Sequence, residues 1–169
     1  MITFWDREKW IKTGTKAQRE NWAKQLPICW IMEYQPTILL PGKGQIVFEP
    51  WEFQQEFLAC RERFIAINKP RQCGISTTAA AEAAWEFDNL PGAQIVIISK
   101  DKDAAVNFHK YVRNILFSVR KKNPNAPRIL KDNERETTNS LGNRIVSLAA
   151  SKESGRSFSA THLYFDELA

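Results

Sequence analysis

Residues 69–77, KPRQCGIST, combine basic, glycine and hydroxyl residues at a spacing that could bind a phosphate group. Backbone N–H groups at a helix N-terminus point towards an anion, and Gly74 would allow a close approach. The loop departs from the GxxxxGK[ST] pattern, because Lys69 replaces the first glycine and Ile75 replaces the lysine. On spacing alone, the alternative is an ordinary strand-to-helix turn with a hydroxyl residue near the helix cap.

A second group of candidate residues lies in LYFDE, residues 163–167, where an apolar run ends in Asp166 and Glu167. A carboxylate at the end of a strand can hold magnesium directly or through water, and its neighbour can take a proton from an attacking water. Two acids after an apolar run are common by themselves. These stand about ninety residues after the glycine loop, so the two elements support each other.

The elements that must position these residues alternate between strand and helix. Short apolar runs predict buried strands at 64–67, 94–99 and 162–165, and 135–140 and 144–149 could pair as two more. An alanine-rich segment predicts a helix at 76–88, and apolar spacing predicts another around 104–116. This order indicates an α/β fold with a mostly parallel sheet flanked by helices.

The first sixty residues form a different region in this interpretation. Short tryptophan-containing helices are predicted at 6–12 and 16–25, a turn at Pro41 and Gly42, and a helix after Pro50. We therefore divide the chain into an N-terminal helical adapter, residues 1–60, and an α/β core, residues 61–169.

Composition and charge limit the classes of protein that fit. The chain has 169 residues, 43% of them hydrophobic, which suits a folded domain, and no apolar stretch approaches the roughly 20 residues that cross a bilayer. We expect no membrane association and an intracellular location. The three cysteines are widely spaced without a CxxC pair, which favours free thiols over disulfides or zinc.

The net charge of +5 is compatible with a nucleic-acid partner, and basic residues cluster between Lys100 and Lys131. Asp101 and Asp103 are the only acidic residues in that stretch of sequence. A DNA-facing surface and a solvated helix face explain the cluster equally well.

Together, the unusual loop and the acidic strand resemble the Walker A and Walker B elements of the N-terminal ATPase domain of tailed-bacteriophage terminase large subunits. The similarity covers roughly residues 51–169, with KPRQCGIST and DELA as its most specific parts. It implies a phosphate-contacting lysine upstream of the loop, a magnesium site and a general base. The implied residues are Lys69 with Arg71 for the phosphates (either could be the main contact), Gln72, Cys73, Gly74, Ile75 and Thr77 around them, Ser76 and Asp166 for Mg²⁺, and Glu167 as the base.

The same resemblance gives roles to two further residues. Gln54, just before the first core strand, matches a glutamine that reads the adenine edge, because an amide can both donate and accept. Gln55 is the alternative register, and an amphipathic helix that packs its aromatic residues is the alternative explanation. Arg156, in the SGR segment, matches an arginine finger that reaches a neighbouring subunit's nucleotide. A solvated loop arginine is the alternative there.

The resemblance implies a P-loop NTPase of the additional-strand type that hydrolyses ATP with Mg²⁺ and drives double-stranded DNA into a viral procapsid. The expected partners are the terminase small subunit, the portal protein and further copies of the chain in a ring, in the cytoplasm of an infected bacterial host. The competing interpretations are a superfamily 2 helicase-like ATPase, which should carry an intact GK[ST] loop, and a non-catalytic nucleic-acid-binding or scaffold module.

In additional-strand NTPases, a strand from elsewhere in the chain lies between the loop strand and the acidic strand. We therefore expect a fragment that is incomplete at its C-terminus and lacks a nuclease domain. We also expect a gap, rather than a backbone ladder, between residues 64–67 and 163–165.

Overall fold

The computed structural model describes residues 6–151 and 158–166, and in these ranges the chain is a mixed α/β fold. The helices are α1 (Arg7–Lys12), α2 (Lys16–Gln25), α3 (Pro27–Tyr34), α4 (Glu52–Ala59), α5 (Ile75–Asn89) and α6 (Lys102–Arg120). The strands are β1 (Thr37–Leu40), β2 (Gly44–Val47), β3 (Gln94–Ser99), β4 (Ile129–Asp132), β5 (Glu136–Asn139), β6 (Arg144–Ala149) and β7 (His162–Asp166).

The main sheet has five strands in the order β4-β5-β6-β3-β7. Strand β3 pairs in parallel with β6 and β7, whereas β5 pairs antiparallel with β4 and β6. The expectation of a mostly parallel sheet is therefore wrong, because half of the pairings are antiparallel. The link between β5 and β6 is too short for the crossover that parallel neighbours need, so the predicted pairing of these segments forms a hairpin.

Helices α5 and α6 cover the sheet and confirm the two helices predicted for the core. The alanine-rich sequence of α5 lets it pack closely, and its residues 80–88 are all buried. Helix α6 buries one apolar stripe, which includes Phe108, Val112 and Ile115. These side chains meet Ile95 and Ile145 of the sheet in one hydrophobic core.

The N-terminal helices pack onto the same core. Both predicted short helices are present, and α2 begins with a capping box between Thr15 and Gln18. Trp10, Trp30 and Leu58 belong to the core cluster that contains the sheet residues. Helix α3 was not predicted; its proline stands in the first turn, where proline is well tolerated. The β1–β2 hairpin around the predicted turn was also missed.

The strand predicted at residues 64–67 is not formed. The chain from Cys60 to Pro70 has no regular secondary structure, and Phe64 is 84% exposed. An isolated apolar segment gains nothing from an extended conformation without a ladder to join. Among the described residues, β7 pairs only with β3, so no backbone ladder joins it to residues 64–67.

Strand β7 forms where it was predicted, but it is an edge strand rather than a buried one. Leu163 is 47% exposed and Phe165 is 56% exposed, whereas the alternate residues His162 and Tyr164 turn towards α5. Among the described residues the outer edge of β7 has no partner strand, and Leu163 and Phe165 are exposed on the sheet face opposite α5. Separately, none of the helices in the described ranges combines the length and apolarity needed to cross a membrane.

Candidate functional site

Three residues that are distant in the sequence meet at the C-terminal end of β7. The Lys69 ammonium Nζ donates to Ser76 Oγ at 2.7 Å and to Asp166 Oδ1 at 2.5 Å, and the Ser76 hydroxyl donates to the same carboxylate oxygen at 3.1 Å. The Ser76 hydroxyl and the Asp166 carboxylate, which the resemblance assigns to the same Mg²⁺, therefore lie at one location. All three side chains remain partly accessible to solvent.

Strand and helix ends bring these residues together. Asp166 is the last residue of β7, and Ser99 at the end of β3 lies in register with it. The Ser99 hydroxyl donates to the Asp166 carbonyl at 2.8 Å, which anchors the strand end. Ser76 is the second residue of α5, so the helix N-terminus faces the end of the strand. A helix N-terminus beside a strand end is a favourable environment for an anion.

The loop before α5 turns through left-handed conformations at two positions. Gly74 has φ +73°, and Gln72 has φ +61°, which is uncommon for a residue with a side chain. The Gly74 carbonyl accepts hydrogen bonds from the Thr78 backbone N–H and hydroxyl, so the turn leads directly into the helix. Here the glycine is required by the backbone conformation as well as by the close approach of a neighbouring side chain, described below.

The other loop residues differ in position. Ile75 is buried, Cys73 and Thr77 are half-buried, and Arg71 and Gln72 are exposed. In the described part of the chain, Arg71 makes no hydrogen bond or ion pair with the Lys69 cluster, so Lys69 is the basic residue that reaches Ser76 and Asp166.

Gln54, expected to read an adenine edge, lies against this loop, and its amide is bonded to the chain itself. Its Oε1 accepts from the Trp51 N–H at 2.9 Å, and its Nε2 donates to the Cys73 carbonyl at 3.2 Å. A Cβ added at Gly74 would lie 2.7 Å from Gln54 Nε2. Gln55, the alternative register, donates to the Pro50 carbonyl at the beginning of α4.

An acidic cluster further along α5 was not predicted. Glu82 and Glu86 are buried one helical turn apart; Arg61 lies 3.3 Å from Glu82, and the Tyr164 hydroxyl donates to Glu86 at 2.9 Å. Burial raises the pKa of Glu82 to about 7 and that of Glu86 to about 8. The signal in the sequence was the alanine on every side of α5, which indicates a helix packed all round and hence buried acids.

The cluster at the end of β7 suits a magnesium ion that binds together with a phosphate. Ser76 and Asp166 offer a hydroxyl and a carboxylate oxygen, which Mg²⁺ accepts in sites completed by water and phosphate oxygens. Within residues 6–151 and 158–166, no group of three or more His, Cys, Asp or Glu side chains could hold a metal ion alone. Ser76 and Asp166 alone would leave most coordination positions of a Mg²⁺ ion to water or phosphate oxygens.

No protein-family model matches this sequence, and neither does any curated protein. The functional interpretation therefore rests on the residues themselves. Two of them, Glu167 and Arg156, lie outside the described residues.

The basic cluster between Lys100 and Lys131 is partly neutralised by acids that are distant in sequence. Arg113 pairs with Asp132 at 2.5 Å, and Arg120 pairs with the buried Asp88 at 2.7 Å. Lys131 pairs with Glu136. Counting only the neighbouring acids therefore overestimated the local charge. Lys102 and Lys110 of α6 and Lys121 just after it are exposed, and Lys122 is exposed as well and donates to the Gln35 carbonyl.

Proposed function

We propose that this chain binds and hydrolyses ATP with magnesium as part of a DNA-packaging motor of the terminase large-subunit type. One observation carries the proposal: Lys69 Nζ lies 2.7 Å from Ser76 and 2.5 Å from Asp166. The ammonium missing from the GK[ST] position is thus supplied from upstream of the loop. This favours an ATPase over a non-catalytic module that has lost its lysine, and the absence of GK[ST] disfavours a helicase.

In this proposal each residue of the site has a distinct task. The Lys69 ammonium and the N–H groups at the beginning of α5 hold phosphate oxygens, while Ser76 and Asp166 hold Mg²⁺. The bound metal ion would neutralise charge on the phosphates. Glu167 accepts a proton from the attacking water, and Arg156 stabilises the transferred phosphoryl group from a neighbouring subunit.

Binding of the nucleotide requires Lys69 to change partners. Its Nζ now contacts both oxygens proposed as metal ligands, so it must leave Asp166 and turn to the phosphates. The flexible four-carbon stem of lysine allows such a movement without displacement of the backbone. The ion pair with Asp166 thus keeps the charges of the site balanced until a nucleotide arrives.

The additional-strand topology is also part of the proposal. The outer edge of β7 and the unpaired segment at residues 64–67 are what this topology leaves when its intervening strand is supplied by another part of the protein. A strand placed there would give both segments a backbone ladder and would protect the edge of β7.

The proposed substrate that the motor translocates is double-stranded DNA. Lys102, Lys110 and Lys121 lie within a sector of about 100° on the exposed side of α6, as helical geometry requires for these spacings. A phosphate backbone could contact such a row. The ring of subunits, the small subunit, the portal protein and the host cytoplasm come from the resemblance in the sequence.

Calorimetric titration of the purified chain with ATP, with and without Mg²⁺, tests the nucleotide site. We expect Mg²⁺-dependent binding that weakens at least about tenfold in Lys69→Ala, because a charge-assisted phosphate contact contributes about 1.5–3 kcal/mol. Lys43→Ala, in the exposed β1–β2 turn, is the matched control and should bind normally. Absence of ATP binding, or equal binding by both variants, would refute the proposal.

A further inference from the structure

The loop before α5 holds a conformation that its own sequence does not explain. Gln72 and Gly74 both have positive φ angles, and the chain from Cys60 to Gly74 contains no helix or strand. A positive φ is unfavourable for glutamine, so contacts from outside the loop must stabilise it. The position of Ser76 depends on this turn, because α5 begins directly after it.

Gln54 supplies such a contact from α4. The side chain is only 4% exposed, and its amide joins the Trp51 N–H at the beginning of α4 to the Cys73 carbonyl in the loop. The same amide nitrogen occupies the space that a side chain at Gly74 would need. One buried amide therefore links the helix to the loop by a hydrogen bond and by steric contact.

These contacts conflict with a direct role in reading adenine. The adenine edge requires a donor and an acceptor from the same amide, in the plane of the base. Here the Gln54 acceptor is bonded to Trp51, one donor is bonded to Cys73, and the side chain is buried. Gln54 would have to leave both backbone partners to meet a base.

We propose that Gln54 is a positioning residue, which fixes the turn at Cys73 and Gly74 and thereby places Ser76 and the beginning of α5 opposite Asp166. The consequence for catalysis rests on the proposed function, whereas the consequence for the loop does not. If the proposal is correct, loss of the Gln54 amide loosens the loop and slows turnover, and it leaves the preference for ATP over GTP unchanged.

Cys73 is a built-in probe of this loop, because it is half-buried and its carbonyl accepts the Gln54 hydrogen bond. The rate of its alkylation by N-ethylmaleimide can be followed by peptide mass spectrometry in the chain without nucleotide. Cys60, half-buried at the C-terminal end of α4, reports on the helix in the same digest. Comparison of the two thiols separates loosening of the loop from unfolding of α4.

The decisive variant is Gln54→Glu, which keeps an acceptor for the Trp51 N–H but loses the donor to Cys73. We expect alkylation of Cys73 to accelerate about fivefold, the factor that removal of one hydrogen bond allows, with Cys60 unchanged. Gln54→Ala should have at least this effect on Cys73. The matched control is Gln55→Glu, the same change at the neighbouring buried glutamine, whose amide donates to Pro50; it should leave the Cys73 rate unchanged.

Nucleotide kinetics provide the second measurement. Gln54→Glu should lower kcat for ATP and GTP by the same factor. An unchanged Cys73 rate in both Gln54 variants would overturn the proposal, and so would a selective loss of ATP relative to GTP. If the chain bound no nucleotide at all, the proposed function would fail, while the alkylation experiment would still decide whether Gln54 positions the loop.

Discussion

Two groups of polar side chains in this molecule have opposite kinds of partners. Near the C-terminal end of α5, Asn139 and Asn143 are buried, and both donate to the Phe87 carbonyl at 2.7 Å. Asn143 also accepts from the Ala93 N–H. At the end of β7, Lys69, Ser76 and Asp166 instead bond to one another, in partial contact with solvent.

The difference shows what each group can do. A buried amide that satisfies backbone groups cannot leave them without a cost of about 1–3 kcal/mol for each unsatisfied group, so it belongs to the fold. Partly exposed charged side chains that bond to one another can exchange those bonds for a ligand at little cost. The asparagine pair therefore stabilises the protein, and the lysine cluster is available for chemistry.

The largest expected effect concerns Glu167, the proposed general base. Glu167→Gln should lower ATP turnover by ~10²–10⁴, the usual loss when a positioned base is removed, and should leave ATP and magnesium binding intact. Steady-state hydrolysis and calorimetry measure the two quantities. Normal turnover in this variant would show that Glu167 is not the base.

Mixed assemblies extend this test to Arg156. If the arginine acts between subunits, mixing Arg156→Ala with Glu167→Gln subunits should restore part of the turnover, because some interfaces then pair an intact base with an intact arginine. Mixtures that stay as inactive as either variant alone would place Arg156 within its own subunit or outside the reaction.

A matched pair of alanine substitutions tests the comparison directly. Asn143→Ala should lower the free energy of unfolding by roughly 1–3 kcal/mol, because two buried hydrogen bonds are removed and the Ala93 N–H keeps only its 3.3 Å contact with the Leu90 carbonyl. Ser76→Ala should change stability by less than about 1 kcal/mol and weaken binding of ATP with Mg²⁺. Urea unfolding and calorimetry measure both; stability losses of equal size would erase the distinction.

The pH dependence of stability should differ in sign between His109 on α6 and Glu86 on α5. Burial lowers the pKa of His109 to about 4, so the unfolded chain takes up the proton first. The contribution of neutral His109 to the free energy of unfolding is therefore fully present above about pH 6.5. Up to roughly 3 kcal/mol of this contribution is lost as the pH falls from 6.5 through 4. Burial raises the pKa of Glu86 to about 8, so its contribution is lost as the pH rises from about 4.5 through 8.

Two substitutions separate these contributions. His109→Gln should remove the decrease in the free energy of unfolding at acidic pH. Glu86→Gln should reduce the decrease in the free energy of unfolding towards pH 8. In both variants the reason is that glutamine cannot ionise. Urea unfolding between pH 4 and 8 measures both slopes. Variants that kept the pH profile of the parent chain would show that neither group controls it.

The smallest expected effect concerns DNA. Replacement of Lys102, Lys110 and Lys121 by glutamine should reduce the dependence of DNA affinity on salt by about 0.9 in slope for each phosphate that a lysine no longer neutralises. ATP binding should not change. The control carries the same substitution at exposed lysines elsewhere, Lys12, Lys24 and Lys43. Equal slopes in the two triple variants would indicate that the α6 row is only a solvated face.

The sequence alone was sufficient for elements whose stabilising pattern is local. The alanine-rich α5, the apolar stripe of α6 and the isoleucine-rich β3 were predicted with nearly correct bounds, because propensity and periodicity both act within a few residues. The meeting of Ser76 with Asp166 was also expected, from the positions of the loop and the acidic strand in the motifs, although the strand predicted before the loop is not formed.

The features that were missed depend on distant partners. Residues 64–67 have the composition of a strand, but a strand exists only where a neighbouring strand completes its ladder. The burial of Glu82 and Glu86 depends on β7, which lies almost eighty residues further along the chain. The hydrogen bond from the Gln54 amide to the Cys73 carbonyl likewise depends on the packing of α4 against the loop.

Strand β7 has a consequence for the order in which the molecule assembles. Among the described residues it is the last strand and pairs only with β3, and the Lys69–Asp166 contact spans 97 positions. Contacts between such distant residues form late in folding, because loop closure must come first, and edge strands are among the first elements to open. The candidate site is therefore completed at the end of folding, and local release of one short strand dismantles it while the core remains folded.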